Sequence, residues 1–385
     1  MVHSFSYLNT SKQILETYKG DTPFATWLKE FFRKNKKFGS KDRKHITHLC
    51  YCYFRTAKAL SHLDVEQQII WSLFLCSNEP GKLLEGLNAE LNALASPSIK
   101  DRIEKSVEVG FSIEAILPWA AEVSNQIEHL PLCKSFLVQP DLFLRLRPGK
   151  QKKVCSDLIT ANILFEKVHS DCIRLSNNTK IDELLSLDRD AVVQDLSSQQ
   201  TLDVLQHVLS KENPIKAWDC CAASGGKSLL LHDLYPNVSI LATDIRSSIL
   251  ANLQKRFEKA GIKNYRSQVH DVSQHALKEK FDVVICDAPC SGSGTWSRTP
   301  EQLHFFEKGK IDHYVDLQKK IALNASMSVK KGGYFVYITC SVFSKENEEV
   351  VQMIKEKTAL QLVSSNYIKG YDIKADTLFT ALFQS

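Results

Sequence analysis

The sequence predicts an α/β protein built on a doubly wound, mostly parallel sheet, preceded by a small α+β segment and an all-α front part. Three observations carry this expectation. From about residue 201, short apolar runs alternate with helical stretches, the pattern of a parallel sheet covered by helices. Several of those runs are continuous in Val, Ile and Leu, as in strands buried on both faces. Before about residue 130, long Leu-, Lys-, Glu- and Ala-rich stretches carry helical spacing and few strand patterns.

Taken in order, residues 1–135 are expected to form the helical domain, with breaks at Asn78-Glu79-Pro80-Gly81 and Ser96-Pro97. A basic run lies there: Lys29, Arg33, Lys34, Lys36, Lys37, Lys41, Arg43 and Lys44, opposed only by Glu30 and Asp42 and interleaved with Phe31, Phe32 and Phe38. Such one-signed clusters suit contact with phosphates. Residues 136–200 change character. Leu142-Phe143-Leu144-Arg145-Leu146-Arg147 alternates and stops at Pro148-Gly149-Lys150, which predicts an edge strand and a turn. Arg145, Arg147 and Lys150 are then placed to touch a nucleic-acid backbone. Cys172–Leu175 and Ala191–Asp195 predict two more strands. In 201–385, strands are predicted at 215–220, 239–243, 265–270, 281–286, 334–338 and 378–383, with helices starting near Lys227, Ser247 and Pro300.

Composition narrows the class. With 385 residues the chain can bury a core without staples, and its eleven cysteines include no Cys-x-x-Cys pair, so neither a disulfide framework nor a metal site is expected. The start lacks a signal-peptide pattern, and the longest apolar run, near Ile69 to Cys76, is too short to span a bilayer. The reading is a cytoplasmic protein, monomeric and away from membranes. A net charge of +5 is compatible with a polyanionic partner.

Chemistry is expected where strands end. Phe281 to Cys286 leads into Asp287-Ala288-Pro289-Cys290-Ser291-Gly292-Ser293-Gly294, an acid, a rigid turn and a thiol just outside a strand's carboxyl end. Tyr334 to Ile338 leads into Thr339-Cys340-Ser341. If the two strands are parallel neighbours, spaced about 5 Å apart, both thiols reach one small substrate. A third loop, Asp219-Cys220-Cys221-Ala222-Ala223-Ser224-Gly225-Gly226-Lys227-Ser228, joins a strand to a helix whose first amides are unpaired. It is not a P-loop, because Cys221 stands where that pattern needs glycine. Asp219, Asp244 and Asp271 end successive strands. Asp244 lies near the offset at which an acid takes ribose hydroxyls, and the full Gly-x-Gly-x-x-Gly of dinucleotide enzymes is missing. A smaller adenosine ligand, S-adenosylmethionine, fits this pattern.

Together with Arg298-Thr299-Pro300-Glu301 and Glu346-Asn347-Glu348, these segments resemble the Nop/Sun RNA 5-methylcytosine methyltransferases. Gln194-Asp195-Leu196-Ser197-Ser198-Gln199 and the stretch from Asp376 to Phe383 are similar too. The likeness runs from about residue 136 to the end. The front part, with Phe38-Gly39-Ser40-Lys41-Asp42-Arg43, is similar to the NusB-like domain of RsmB-type enzymes acting on ribosomal RNA.

The resemblance implies a Rossmann-like class I methyltransferase sheet over residues 201–385 and an RNA substrate, ribosomal RNA foremost, with transfer RNA as the alternative; the placement of Thr339-Cys340 disfavours DNA, and the rival class is a non-catalytic RNA-binding or assembly protein. Either thiol is chemically able to attack. The resemblance assigns the attack to Cys340 and product release to Cys290, with Asp287 and Lys227 assisting. It places the cofactor among Cys221, Ala222, Ala223, Ser224, Gly225, Gly226, Lys227, Asp244, Arg246, Asp271, Asp287 and Pro289, and RNA at Arg145, Arg147, Lys150 and Arg298. Asn347 and Glu348 are expected to cap the following helix. Ser224 departs from the family's usual proline and Arg147 from a common asparagine.

Overall fold

A computed structural model describes residues 3–385. The chain packs as two units: residues up to Ala121 with 128–139 and 295–308, and residues 122–127 with 140–294 and 309–385.

The first unit is helical. Helices Ser4–Thr17, Phe24–Lys34, Ser40–Thr56 and Val65–Cys76 surround a core of Leu8, Phe24, Leu28, Ile46, Phe54, Ile69 and Phe74. The Asp64 side chain accepts from Gln67 N–H and starts the last of these helices, which is buried from Gln68 to Leu75. Residues 295–308, far along the chain, join this unit through the helix Pro300–Phe305. Leu303 is buried, and the His304 and Phe305 rings pack on Phe54. All eight cationic residues of the basic run are exposed, and Arg33 pairs with Glu30 at 2.6 Å.

The second unit contains two sheets. In the smaller, strands β1 (Leu142–Leu146), β2 (Phe165–His169), β3 (Cys172–Leu175) and β4 (Ala191–Val193) are antiparallel in the order β2-β3-β1-β4. β1 is therefore interior, contrary to the predicted edge position. Its Leu144 and Leu146 enter a core with Val154, Leu158 and Ile173, while Phe143 packs with Leu196 and Ala375 on the opposite face.

The larger sheet has strands β5 (Ile215–Asp219), β6 (Val238–Asp244), β7 (Tyr265–Val269), β8 (Phe281–Asp287), β9 (Val329–Thr339), β10 (Gln361–Ile368) and β11 (Leu378–Gln384), in the order β10-β11-β9-β8-β5-β6-β7. β9, β8, β5, β6 and β7 run parallel, and β11 is antiparallel to both neighbours. The fold is the mixed, Rossmann-like α/β sheet expected. β9 starts at Val329, ahead of the predicted 334, because the Gly332 turn is a local register shift inside the strand rather than its beginning. Among the described residues, no helix is long and apolar enough to cross a membrane.

Candidate active site

The chain steps outward from β5 to β6 and β7, then returns to β8 on the other side of β5. The carboxyl ends of β5 and β8 thus flank the switch point where open α/β sheets bind ligands. The cofactor-type loop follows β5, and Asp287 closes β8.

Two turns bring the thiols together. Asp287 pairs with Ile338 across the parallel β8–β9 ladder. Beyond it, Ala288 N–H donates to Ile338 C=O (2.9 Å) and Gly294 N–H to Cys340 C=O (2.9 Å). Gly294 must lack a side chain, since a Cβ there would collide with the Thr377 carbonyl. The sulfurs of Cys290 and Cys340 end 3.3 Å apart, both half-buried. The hydrogen bond with Cys340, then burial, pushes the Cys290 thiol well above its ordinary value. Either sulfur can be the donor across this contact.

Lys227, in the first turn of the helix Gly226–Leu234, is buried, with Nζ 3.1 Å from Asp287 Oδ2. Its second partner is Ser198 Oγ at 3.0 Å. The segment holding Ser198 stood out in the sequence by resemblance alone. Nothing local announced that its hydroxyl would meet a lysine 29 positions away.

The loop after β5 is shaped for close approach. Ala223 (φ 46°) and Gly225 (φ 84°) lie in the left-handed region, and a Cβ on Gly225 would stand 2.7 Å from Phe257. Beside Gly226 a Cβ would meet nothing within 4 Å, so the helix start faces open space, as an anionic ligand group requires. Asp244 accepts from Ala223 N–H (3.1 Å) and from Arg246 through N–H (3.0 Å), Nε (3.0 Å) and Nη2 (3.1 Å). The Arg246 side chain is largely exposed and engages both carboxylate oxygens of Asp244. Asp271 sits two residues past β7, half-buried, and accepts from Ser273 N–H (3.0 Å) and Oγ (2.6 Å). Cys221 and Ala222 line the loop, and Pro289 is exposed. A group with one carboxylate and one vicinal diol fits these donors and acceptors.

Ser224 is not loose despite replacing a proline. Arg256 donates from Nη1 to its carbonyl (3.1 Å) and hydroxyl (3.2 Å), and its Nε holds Asp188 at 2.9 Å.

Asp219, at the end of β5, is buried; its Oδ2 accepts from Ser228 Oγ (2.7 Å) and its Oδ1 has no partner. Burial raises its carboxyl to about 7. The folded form therefore prefers the proton. The stability this gives is full below the ordinary carboxyl value of 3.8 and is lost as pH rises through about 7. Urea unfolding at pH 5 and pH 8.5 should show Asp219→Asn gaining on the wild type at the higher pH, by on the order of a few kcal/mol. An unchanged difference would contradict this.

Two predicted RNA contacts are corrected. Arg145 and Arg147 are buried, not exposed. Arg145 Nη1 pairs with Asp233, and its Nε donates to Gln194 (2.8 Å); Arg147 Nη2 lies 2.7 Å from Asp233, and its Nη1 donates to Ala260 C=O (2.6 Å). Their strand turns this face inward, onto the helix after the cofactor loop. Asp233→Ala would leave two buried guanidinium groups uncompensated, an expected loss of roughly 3–5 kcal/mol in chemical unfolding; a loss below about 1 kcal/mol would contradict the burial. Lys150 faces Asp190 at 3.8 Å with its side chain about two-fifths exposed, and Arg298 is half-buried in the helical unit. Asn347 precedes the helix Glu348–Lys357, but its side chain does not cap it. Its Oδ1 accepts from Thr339, and its Nδ2 donates to Ser341 C=O (2.8 Å) and Tyr367 Oη (2.8 Å), bracing the turn that carries Cys340. Glu348 accepts from Tyr367 Oη at 3.0 Å.

This sheet order, with a glycine-containing loop after β5 and Asp287 at the end of β8, defines a Rossmann-like α/β domain. Residues 206–381 match the family model "16S rRNA methyltransferase RsmB/F". A ribosomal RNA small subunit methyltransferase B from Xanthomonas campestris is 27% identical over 199 residues, 50% of this chain and 45% of the relative. The 28S rRNA (cytosine-C(5))-methyltransferase of Mus musculus is 36% identical over 160 residues, 40% of this chain and 20% of the relative. The chain thus spans half or less of the length of these curated relatives. Among solved structures, PH0851 superposes with a TM-score of 0.69 at 18% identity, covering 93% of each chain. NSun6 from Pyrococcus horikoshii gives 0.58 at 16% identity, covering 66% of this chain and 94% of that one.

Proposed function

We propose that the chain transfers a methyl group from S-adenosylmethionine to carbon 5 of a cytosine in RNA, through a transient bond between Cys340 and carbon 6. The observation that carries this reading is the pair of thiols 3.3 Å apart, in the same loop system as the Lys227–Asp287 ion pair. Likeness to ribosomal RNA methyltransferases, one of them named for cytosine C5, supports ribosomal RNA as the substrate class.

Carbon 5 of cytosine is a weak nucleophile. A thiolate adding to carbon 6 pushes an electron pair across the ring to carbon 5, and charge grows on N3 and the carbonyl. Asp287, acting as an acid, can donate a proton to N3, and Lys227 supplies a cation beside the growing charge. When bound, S-adenosylmethionine supplies a sulfonium methyl group that carbon 5 takes, the electron pair of the broken bond staying on sulfur. The carboxylate of that cofactor suits the amides at Gly226 and Lys227, and its ribose suits Asp244. Release requires a base to remove the carbon-5 proton. The electrons then re-form the ring double bond and expel the Cys340 sulfur, to which the Cys290 thiol can donate. Attack occurs from above the ring plane, so the base must be unstacked. The exposed basic run of the helical unit suits the phosphate backbone of such an RNA.

Incubating the protein with methyl-labelled S-adenosylmethionine and unmodified ribosomal RNA should place label in 5-methylcytidine after nuclease digestion. Binding of RNA with no label in ribosomal RNA, transfer RNA or DNA would instead support a non-catalytic RNA-binding protein.

A further inference from the structure

One fully buried carboxylate joins the two thiol-bearing turns and has no part in the chemistry above. Glu346 lies in the single helical turn Ser344–Glu346 and is 0% exposed. Its Oε1 accepts from Ser291 N–H (2.8 Å) and Gln318 Nε2 (3.0 Å), and its Oε2 from Ser291 Oγ (2.5 Å) and Ser341 Oγ. All four acceptor positions are filled, two donors coming from the residue after Cys290 and one from the residue after Cys340.

A second ring of contacts surrounds it. Ser293 N–H donates to Ser291 Oγ (3.3 Å), Val342 N–H to Ser293 Oγ (2.9 Å) and Phe343 N–H to Ser341 Oγ (3.0 Å). Gln318 Nε2 also donates to Pro289 C=O (3.0 Å), so the backbone on both sides of Cys290 is tied to the same centre. A buried carboxylate is expensive to desolvate and adds little net stability even when fully paired. Its geometric effect is large: beside the direct Gly294–Cys340 backbone bond, it is the common acceptor for the residues that follow both thiols.

We propose that Glu346 is a positioning residue that fixes the separation of the Cys290 and Cys340 sulfurs by pinning residues 289–293 to residues 340–343. The inference rests on the two-thiol reading for its consequence in catalysis, and on geometry alone for the separation. Glu346→Gln keeps an oxygen for the two N–H donors and turns an NH2 toward two hydroxyls, which can rotate to accept it. Glu346→Ala removes the pin.

The test compares the wild type, Glu346→Gln and Glu346→Ala in the full chain. Dibromobimane joins thiols a few ångströms apart by two displacements, each forming a C–S bond and releasing bromide and a proton. Peptide mass mapping then measures the rate of the 290–340 cross-link. The expected result is a cross-linking rate about tenfold slower in Glu346→Ala and near wild type in Glu346→Gln, with kcat on RNA lowered about 100-fold in the alanine variant only. S-adenosylmethionine affinity should stay within about threefold in both, because the loop after β5 is untouched. Wild-type cross-linking in Glu346→Ala would overturn the proposal, as would equal loss in both variants together with loss of cofactor binding, which marks a purely structural role. If the wild type modifies no RNA, the catalytic reading fails while the cross-linking result still decides the pin.

Discussion

Cys340→Ala is expected to lower methyl transfer to RNA by at least about 1000-fold while leaving cofactor affinity unchanged, since loss of a covalent nucleophile removes the step on which the others depend. Carbon 5 cannot take the methyl group at a useful rate until carbon 6 carries a sulfur substituent. The cofactor loop lies after β5, and Cys340 leaves from β9 on the other side of β8. Removing one sulfur atom therefore leaves the loop's turn and its Asp244 clamp in place. Label incorporation and isothermal titration calorimetry on the same preparation check both halves. Residual activity within tenfold of wild type would move the attack elsewhere.

Lys227→Met is expected to lower kcat by roughly 100-fold with a smaller change in KM for RNA, the size seen when one preorganised electrostatic partner is lost. The lysine stem is buried, so methionine retains most of its packing. What disappears is the cation 3.1 Å from Asp287 and its anchor on Ser198. Asp287 is then left partly buried without its counter-ion, and charge growing on the base meets no cation. The backbone amide of residue 227 remains at the helix start, so cofactor affinity should change little. Single-turnover methylation measures the chemical step directly. An unaltered rate would restrict Lys227 to folding.

The parts of this site that follow strand ends were legible in the sequence. Apolar runs ending in Asp219, Asp244 and Asp287 place those acids at one rim, and two runs ending near Cys290 and Cys340 needed only adjacency, which the β8–β9 pairing supplies. Long-range partners were not legible. Ser198, Gln318 and Glu346 meet the site through tertiary packing, and no periodicity carries that information. Arg145 and Arg147 misled because alternation marks two faces without saying what covers the polar one. Here Asp233 covers it, and the strand is interior. β2 and β10 escaped notice because both lie at sheet edges, where polar residues are common and no apolar run forms. The helix Pro300–Phe305 follows the Pro-Cys loop in sequence yet packs into the helical unit, an arrangement that a reading of contiguous segments does not reveal.

Opposite roles for the two thiols predict opposite behaviour when release is blocked. With S-adenosylmethionine and unmodified substrate RNA, denaturing electrophoresis should reveal a covalent protein–RNA adduct accumulating with Cys290→Ala and none with Cys340→Ala. An adduct with Cys340→Ala and none with Cys290→Ala would exchange the two roles, and no adduct with either variant of an active enzyme would contradict attack by this pair.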